Sequence, residues 1–331
     1  MGKLAITVAC GEYDRTRAIR DGRVGIEGCE VNYLTLNPEE LFFRAYRNLE
    51  FDVAELSMSS YIMSLSRGIR TPYVAIPVFV SRTFRHSAVY IREDRGIKAP
   101  QDLKGKKVGV PEYQITAALW TRAWLDEEYG VGPADFSWFQ GGLEEPGRIE
   151  KIKLNLPDGI HISSIPEDTT LDAMLSSGEL DALIAMRPPG CFKRGQPGIA
   201  RLFPDYQAEE AAYFARTGVF PIMHVVGIRR ELVDAHPWLA SSVYSAFVAA
   251  KDIAVKELEN IAALPVTLPW LGPQLAQTKA AMGQDYWPYG VQENMPTLKA
   301  MVKYAHRHGT ADRLLEVDEL FAPTTLERFK I

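Results

Sequence analysis

The sequence predicts an α/β protein built from two lobes. With 331 residues the chain is too long for one small hydrophobic core, and two domains of ordinary size are expected. Short β-rich apolar runs alternate with helical segments, an order typical of parallel strands flanked by helices. Two separate stretches cross from one sheet-forming region to the other. We therefore expect two mixed sheets, a two-segment hinge and a ligand cleft between the lobes.

The first lobe is predicted from alternating strand and helix signals. Residues 4–9 and 30–36 have the apolar pattern of strands. Asn37 is a favoured helix N-cap and Pro38 suits the first helical position, so a helix is expected to begin there. A strand at 52–56, a helix near 61–66 and strands at 73–80 and 88–91 complete this series.

The second lobe is predicted between two crossings, a turn-rich stretch at 96–105 and a returning stretch at 220–228. Beyond residue 229 the chain is expected to be helical. The predicted first lobe comprises residues 1–92 and 227–331, and the inserted second lobe residues 93–226. The elements predicted after the first crossing are strands at 107–110, 136–139, 159–163 and 181–186, and helices at 115–128, 170–178, 237–262, 273–282 and 295–308.

Composition excludes several classes of protein. An apolar fraction of 47% and a charged fraction of 24% are typical of a globular chain, and a net charge of -5 argues against nucleic-acid binding. No segment reaches the roughly 20 apolar residues that span a bilayer, and the N-terminus lacks the apolar core of a secretory signal. Cys10, Cys29 and Cys191 have no metal-type spacing. We expect a cytoplasmic protein with no membrane or nucleic-acid partner; a homo-oligomer is compatible with the sequence.

The stretch Ser81–Ser87 is the densest cluster of candidate binding residues. It contains Arg82, Phe84, Arg85 and His86 and no acid, which favours a receptor for an anion. On an extended segment Arg82, Phe84 and His86 would share one side. The alternative interpretation is a solvated loop with ordinary surface charge.

Other candidates follow from the rule that ligands of open α/β sheets bind beyond the carboxyl ends of the strands. Arg187 is a strong candidate because it comes after a buried strand and before two prolines. The serines at 57–60 also have a plain alternative, because capping a helix would explain them. The segments that this rule collects are 10–17, 55–60, 82–86, 112–116, 141–148 and 187–192, together with His224.

No catalytic motif with a fixed spacing is present. The sequence lacks GxSxG, Walker A and HExxH motifs, and no GxGxxG follows the first strand. No metal ligands or cofactor are predicted, although a metal requirement is left open. The residues alone therefore indicate a site for a small aromatic or carboxylated ligand.

Several long runs add a family resemblance that covers nearly the whole chain. They resemble the 4,5-dihydroxyphthalate decarboxylase family, which implies a type II periplasmic-binding-protein-like fold adapted as a cytoplasmic carboxy-lyase of phthalate catabolism. The runs include FDVAELSMSSY (51–61), SRTFRHSA (81–88), KGKKVGVPEYQITAALW (104–120), WFQGGLEEPGR (138–148) and MGQDYWPYG (282–290).

The resemblance implies conversion of 4,5-dihydroxyphthalate to 3,4-dihydroxybenzoate (protocatechuate) and CO₂ by protonation of a ring carbon. Decarboxylation of another hydroxybenzoate, or a solute-binding or sensory role for an aromatic acid, remain the alternatives. We assign carboxylate binding to Arg15, Arg82 and Arg187 with Ser59, Ser60 and Arg85 as further candidates, proton transfer to His86 or His224 with Glu112 next, and ring contacts to Phe84 and Tyr113.

Overall fold

The computed structural model describes residues 2–68, 70–148, 150 and 153–327. Within these residues the chain forms two compact units, each built on a mixed β-sheet with helices packed against it. The predicted α/β class with two mixed sheets is therefore confirmed.

The strands of the described residues are numbered in chain order. Most of them are rich in β-branched and aromatic residues, which pack well on a pleated surface. They are β1 (Leu4–Cys10), β2 (Cys29–Thr35), β3 (Val53–Ser57), β4 (Tyr73–Arg82), β5 (Val89–Arg92), β6 (Lys107–Val110), β7 (Ser137–Gln140), β8 (Ile162–Ser164), β9 (Ala182–Ile184), β10 (Ile199–Arg201) and β11 (Ile222–Arg229).

The helices are numbered in the same way. None of those formed by the described residues is both long enough and apolar enough to cross a membrane. They are α1 (Asp14–Arg20), α2 (Pro38–Phe43), α3 (Met58–Ser66), α4 (Thr116–Tyr129), α5 (Leu171–Ser177), α6 (Gly190–Lys193), α7 (Tyr206–Thr217), α8 (Arg230–Ala235), α9 (Leu239–Glu257), α10 (Leu271–Met282) and α11 (Met295–Arg307).

The first sheet has five strands in the order β2-β1-β3-β11-β4. Strands β1, β2 and β3 are parallel, as the strand–helix alternation predicts, and β11 is antiparallel to both of its neighbours. Helix α2 begins as predicted, because the Asn37 side chain accepts a hydrogen bond from the Glu39 backbone N–H. Since β11 runs against β3, the first residues of β11 lie beside the carboxyl end of β3.

The second sheet has six strands in the order β10-β5-β9-β6-β7-β8. Strands β6, β7, β8 and β9 are parallel, whereas β5 is antiparallel to β9 and to the edge strand β10. Its longest helix, α4, is predicted well and ends at Tyr129. The following residue, Gly130, caps it with a φ of 63°, a left-handed conformation that glycine adopts readily.

The two units are discontinuous in sequence. One comprises Met1–Arg82, Ile222–Lys299 and Leu315–Ile331, and the other comprises Thr83–Pro221 and Ala300–Leu314. The division differs from the predicted boundaries at 92/93 and 226/227, because β5 joins the second sheet and all of β11 joins the first. The predicted helical tail is also divided, since residues 300–314 group with the second unit.

Local sequence signals were misleading at two places. The helix predicted at 237–262 ends at Glu257, and Asn260 then forms a turn in which its side-chain oxygen accepts hydrogen bonds from the N–H groups of Ala262 and Ala263. Strand β10 and helix α7 were not predicted. Of the residues in α7 only Tyr213 is buried, so the helix lacks the continuous apolar stripe that marks a packed helix.

Candidate active site

Polar side chains converge at the carboxyl ends of β1 and β3 in the first unit. Gly11 follows β1 directly, and Glu55 lies near the end of β3. Strand β11 brings His224 beside Ser57, the last residue of β3. The antiparallel pairing of β11 with β3 is therefore what places an imidazole next to the buried acid.

Glu55 and His224 form a tight pair. The carboxylate is fully buried, and its Oε1 lies 2.5 Å from Nδ1 of His224. It also accepts hydrogen bonds of 2.7 Å from the Tyr13 hydroxyl and from the backbone N–H of Gly11. The edge of Phe42 packs on the imidazole with ring centroids 4.9 Å apart. With Nδ1 held by Glu55, Nε2 is the nitrogen left for a ligand.

The surroundings of Glu55 favour its ionised form. Burial alone would raise the pKa of this carboxyl, but the hydrogen bond and charge of His224 and the donors Tyr13 and Gly11 outweigh it, so the pKa is lowered from its ordinary value. Glu55 is consequently an anion at neutral pH. It can orient the imidazole of His224 and stabilise its protonated form, as the carboxylate of a catalytic triad does.

Arg15 is held rigidly in the same unit. Its Nε donates to the carbonyl of Val80 at 2.7 Å, and Nη1 lies 3.0 Å from Asp14. The guanidinium carbon is 4.3 Å from the ring centroid of Tyr13 and 4.4 Å from that of Trp287. Nη2 makes no hydrogen bond within the part of the chain that the structure describes. Arg15 is therefore a preoriented cationic donor, partly open to solvent.

The serines predicted as binding residues lie at the start of α3, in the same unit. Ser59 is buried, and the Ser60 hydroxyl is 3.3 Å from that of Ser57. These hydroxyls form a small polar group at the carboxyl end of β3, and the side chain of the N-cap residue Ser57 makes no capping hydrogen bond to α3.

Arg82, the predicted carboxylate anchor, is almost fully buried in the first unit. Its Nη1 donates to the side-chain oxygen of Asn294 at 2.6 Å and to the carbonyl of Pro288 at 3.1 Å. Burial lowers the pKa of this guanidinium to about 9. These contacts tie the end of β4 to the 288–294 loop.

The expectation that Arg82, Phe84 and His86 share one side of an extended segment is wrong. Strand β4 ends at Arg82, and His86 begins a short 3₁₀ turn. Arg82 belongs to the first unit, whereas Phe84 and His86 belong to the second. The chain changes direction here because Phe84 and His86 pack into separate aromatic groups of the second unit.

His86 is 2% exposed and lies in an aromatic cluster. Its ring stacks on Trp124 at a centroid distance of 4.4 Å and contacts Tyr213 and Phe203. Burial, with a smaller contribution from the charge of Arg216, lowers the pKa of His86 to about 4. His86 is consequently neutral at pH 7.

Phe84 and Arg85 lie in the segment between β4 and the 3₁₀ turn that begins at His86. Phe84 stacks on Phe220 with centroids 4.8 Å apart. Burial lowers the pKa of Arg85 to about 10, although the nearby charge of Glu210 acts in the opposite direction.

Glu112 and Tyr113 follow β6 in the second unit and are both buried. Glu112 Oε1 accepts a hydrogen bond of 2.7 Å from Nε of Arg148. The hydroxyl of Tyr113 donates to the carbonyl of His308, and its ring lies 3.6 Å from the guanidinium carbon of Arg122. Both side chains are thus engaged within their own unit.

Arg187 lies beyond the end of β9 and is exposed. Within the described ranges it makes no hydrogen bond or ion pair, so its guanidinium is available to a ligand. The proposed role of Arg187 stays a prediction.

Comparison with curated proteins identifies the family. The 4,5-dihydroxyphthalate decarboxylase of Comamonas testosteroni is 46% identical to this chain over 331 residues, which is 100% of both proteins. The chain belongs to the 4,5-dihydroxyphthalate decarboxylase family. The decarboxylase of the same name from Pseudomonas putida is 47% identical over 214 residues, 65% of this chain and 83% of that protein. The family model described as NMT1/THI5 like matches residues 27–142.

Solved structures show that this decarboxylase family member has a periplasmic-binding-protein-like fold. The periplasmic aliphatic sulphonate binding protein of Escherichia coli superposes with a TM-score of 0.53 at 13% identity, covering 98% of this chain and 99% of that chain. A DSZB mutant in complex with biphenyl-2-sulfinic acid gives a TM-score of 0.51 at 17% identity, covering 98% of each chain. The predicted fold is confirmed, and at these identities the likeness concerns the fold alone.

Three residues of this decarboxylase candidate site received no role from the sequence. Glu55 carried a signal, because an acid inside an otherwise apolar strand must find buried partners. Tyr13 lies in the collected segment 10–17 and Trp287 in the family run 282–290, but their contact with Arg15 depends on the tertiary fold. Among the residues that the structure describes, no cluster of His, Cys, Asp and Glu could hold a metal ion.

Proposed function

We propose that this chain decarboxylates 4,5-dihydroxyphthalate to 3,4-dihydroxybenzoate and CO₂, using the first-unit site. The observation that carries the proposal is the Glu55–His224 pair, which Tyr13 connects to the rigid guanidinium of Arg15. The choice of substrate is supported by the 46% identity, over the full length, to the 4,5-dihydroxyphthalate decarboxylase of Comamonas testosteroni.

The substrate determines what the site must do. Each carboxylate of 4,5-dihydroxyphthalate lies para to a hydroxyl, so electrons from that oxygen can move into the ring as a proton adds to the carbon that bears the carboxylate. The bond to that carboxylate then breaks, CO₂ leaves, and the ring regains aromaticity. The proton replaces CO₂ on the ring, and no oxidant or reductant is consumed.

In this proposal Arg15 binds the carboxylate that stays and His224 delivers the proton. The hydrogen bond of its Nε and the two aromatic rings beside it already hold the Arg15 guanidinium in place. It therefore loses little conformational freedom when it binds a carboxylate. Glu55 stabilises the imidazolium of His224 and directs its Nε2 toward the ligand. After CO₂ departs, solvent reprotonates the imidazole.

Several predicted residues receive no direct role in this proposal. Arg82 and Glu112 are buried and engaged by Asn294 and Arg148, and His86 is a neutral member of an aromatic cluster. Between the two histidines that the sequence offered as proton donors, His224 alone of the pair has a buried carboxylate directly on its ring.

The test is CO₂ release and product analysis with purified protein. We expect 3,4-dihydroxybenzoate from 4,5-dihydroxyphthalate, and a loss of kcat of about 10²–10⁴-fold in His224→Gln, the range typical of a removed general acid. The matched control is His161→Gln, a change at an exposed histidine.

Three results would contradict the proposal in whole or in part. Binding of 4,5-dihydroxyphthalate without product would favour a solute-binding role, and turnover of a different hydroxybenzoate alone would reassign the substrate. Normal turnover in His224→Gln would remove this residue from the mechanism.

The proposal includes a cytoplasmic location. Cys10, Cys29 and Cys191 are all free and buried, which is consistent with a reducing compartment. Cell fractionation tests the location, with recovery in the cytoplasmic fraction expected.

A further inference from the structure

Four titratable or charged side chains meet at the first-unit site, and they differ in what they can do with a proton. Burial acts to raise the pKa of Glu55, but the hydrogen bond and charge of His224 lower it, so the carboxyl stays ionised. Burial and the charge of Glu55 raise the pKa of Tyr13, so its hydroxyl keeps its proton. Arg15 is a permanent cation. Of these four residues, His224 alone is suited to both giving and accepting a proton near neutral pH.

Two fixed groups determine which face of a bound ring His224 meets. Arg15 donates from Nε to the Val80 carbonyl at 2.7 Å, and its guanidinium carbon lies 4.3 Å from the ring centroid of Tyr13. The imidazole of His224 is held at Nδ1 by Glu55. A ring whose carboxylate is bound by Arg15 can rotate only about that carboxylate, which carries the reacting carbon away from His224. Whenever this carbon lies beside the imidazole, the ring therefore presents the same face.

The chemistry of the reacting carbon places the proton and the departing group on opposite faces. When this carbon of 4,5-dihydroxyphthalate is protonated it becomes tetrahedral, with its hydrogen on one face of the ring and its carboxylate on the other. In the proposed reaction His224 adds the proton on its own face, so CO₂ leaves from the far face. In the reverse direction CO₂ adds from the far face and turns the ring hydrogen toward His224.

Without CO₂ the same imidazole cannot exchange that ring hydrogen with water. A proton that His224 adds to 3,4-dihydroxybenzoate lies on the His224 face, and the original hydrogen then lies on the far face. The imidazole can take back only the proton that it has just added. A proton carrier on one face therefore makes hydrogen exchange dependent on CO₂.

Resting on the function proposed above, we propose that this chain has a second activity, the CO₂-dependent exchange of one ring hydrogen of 3,4-dihydroxybenzoate with water. CO₂ forms a carbon–carbon bond at the carbon para to the 3-hydroxyl, whose oxygen supplies electron density to the ring. His224 removes the hydrogen of that carbon as a proton, and the ring regains aromaticity. The dicarboxylate then loses CO₂ and receives a proton that His224 has taken from water. The cycle consumes no CO₂, oxidant or reductant.

The test is proton NMR of 3,4-dihydroxybenzoate in D₂O with purified protein. In concentrated bicarbonate we expect the signal of the hydrogen para to the 3-hydroxyl to disappear at least about 100-fold faster than in CO₂-free buffer of equal ionic strength. The matched control ligand is 4-hydroxybenzoate, which lacks the 3-hydroxyl and should keep all its ring hydrogens. We expect His224→Gln to slow the exchange by about 10²–10⁴-fold and His161→Gln, a change at an exposed histidine, to leave it unchanged.

Equal exchange with and without CO₂ would overturn the proposal, because a second proton carrier would then act on the far face. A chain that decarboxylates 4,5-dihydroxyphthalate but exchanges no hydrogen in bicarbonate would overturn it as well and leave the proposed function intact. A chain that does neither contradicts both. Unchanged exchange in a His224→Gln variant that circular dichroism shows to be folded would also overturn the proposal. If that variant does not fold, the comparison with and without CO₂ in the unchanged chain decides.

Discussion

Tyr13 contacts both halves of the first-unit site with different parts of its side chain. Its hydroxyl donates to Glu55 at 2.7 Å, and its ring lies 4.3 Å from the guanidinium carbon of Arg15. Burial and the neighbouring charge of Glu55 raise the pKa of Tyr13 far above its ordinary value, so the hydroxyl remains a donor at all working pH values. The Trp287 ring lies against the Arg15 guanidinium, and its indole N–H donates to the carbonyl of Phe79.

Substitutions at Tyr13 and Trp287 are therefore expected to separate kcat from KM. Tyr13→Phe removes the donor to Glu55 and keeps the ring, so kcat should fall by about tenfold with KM little changed. Trp287→Leu removes the ring that steadies Arg15, so KM should rise by about tenfold with kcat little changed.

Steady-state kinetics of both variants with 4,5-dihydroxyphthalate check this expectation, and the pH profile of kcat is expected to shift in Tyr13→Phe alone. If kcat and KM change to the same extent within each variant, the Tyr13 hydroxyl and the Trp287 ring have only a structural role.

At the scale of secondary structure, the 3₁₀ turn after β4 buries a histidine against two helices. His86 stacks on Trp124 of α4 and contacts Tyr213 of α7, and its backbone N–H donates to Glu210 of α7 at 3.2 Å. Burial lowers the pKa of His86 to about 4 and raises that of Glu210 to about 7. Both side chains are consequently neutral near pH 5.5, at the centre of one packed cluster.

The two groups should affect stability with opposite signs as the pH falls. Below its ordinary pKa of 6.5 a histidine binds a proton in the unfolded chain but not when folded, so His86 lowers the free energy of unfolding. Glu210 binds its proton in the folded chain first, between about pH 7 and its ordinary 4.5, so it raises that free energy. In the unchanged chain the two effects largely offset.

Single variants should reveal each effect. Between pH 7 and pH 5, His86→Phe should gain about 2 kcal/mol of unfolding free energy relative to the unchanged chain, and Glu210→Gln should lose about 2 kcal/mol. Urea unfolding at the two pH values measures this, and the phenyl ring retains the packing of the cluster. If the free energy of unfolding changes with pH to the same extent in all three chains, the opposite pKa shifts of His86 and Glu210 are contradicted.

At the scale of the whole molecule, a ligand that binds only the folded chain stabilises it. Phthalate carries both carboxylates of the proposed substrate but lacks the hydroxyls whose electrons the reaction requires. It should therefore bind without turnover. At 100 times its Kd such a ligand adds about 2.7 kcal/mol to the free energy of unfolding.

We expect phthalate to raise the Tm of the unchanged chain by several degrees and to have little effect on Arg15→Ala. Differential scanning calorimetry with and without phthalate makes the measurement. Arg70→Ala is the matched control, because Arg70 is an exposed arginine whose ion pair with Asp234 lies at the surface. A full Tm shift in Arg15→Ala would exclude Arg15 as the carboxylate receptor.

Local patterns were sufficient for most of the secondary structure. The Asn37–Pro38 helix start, the apolar β-rich runs of β1, β3 and β4, and the long helix α4 are each encoded by neighbouring residues, whose effects do not depend on distant partners. Helix α7 was missed because its polar surface leaves no local stripe, and the turn at Asn260 overrode a helical composition.

The candidate site was only partly accessible to the same reasoning. The strand-end rule collected Arg15, the 55–60 segment and His224, and the family runs indicated a carboxylated aromatic substrate. The sequence by itself therefore determined the fold class, the family and the chemical type of the side chains. It left His86 and His224 as equal choices, because both are histidines beside apolar runs.

The tertiary structure gives the two histidines different surroundings. His224 meets a buried carboxylate 169 residues away, and Arg15 meets a tryptophan from the far end of the chain, whereas His86 is enclosed by aromatic rings. Protonation and orientation depend on burial and on partners that only the sheet order brings together. The same residue type thus becomes an acid–base candidate in one place and a packed, neutral side chain in another.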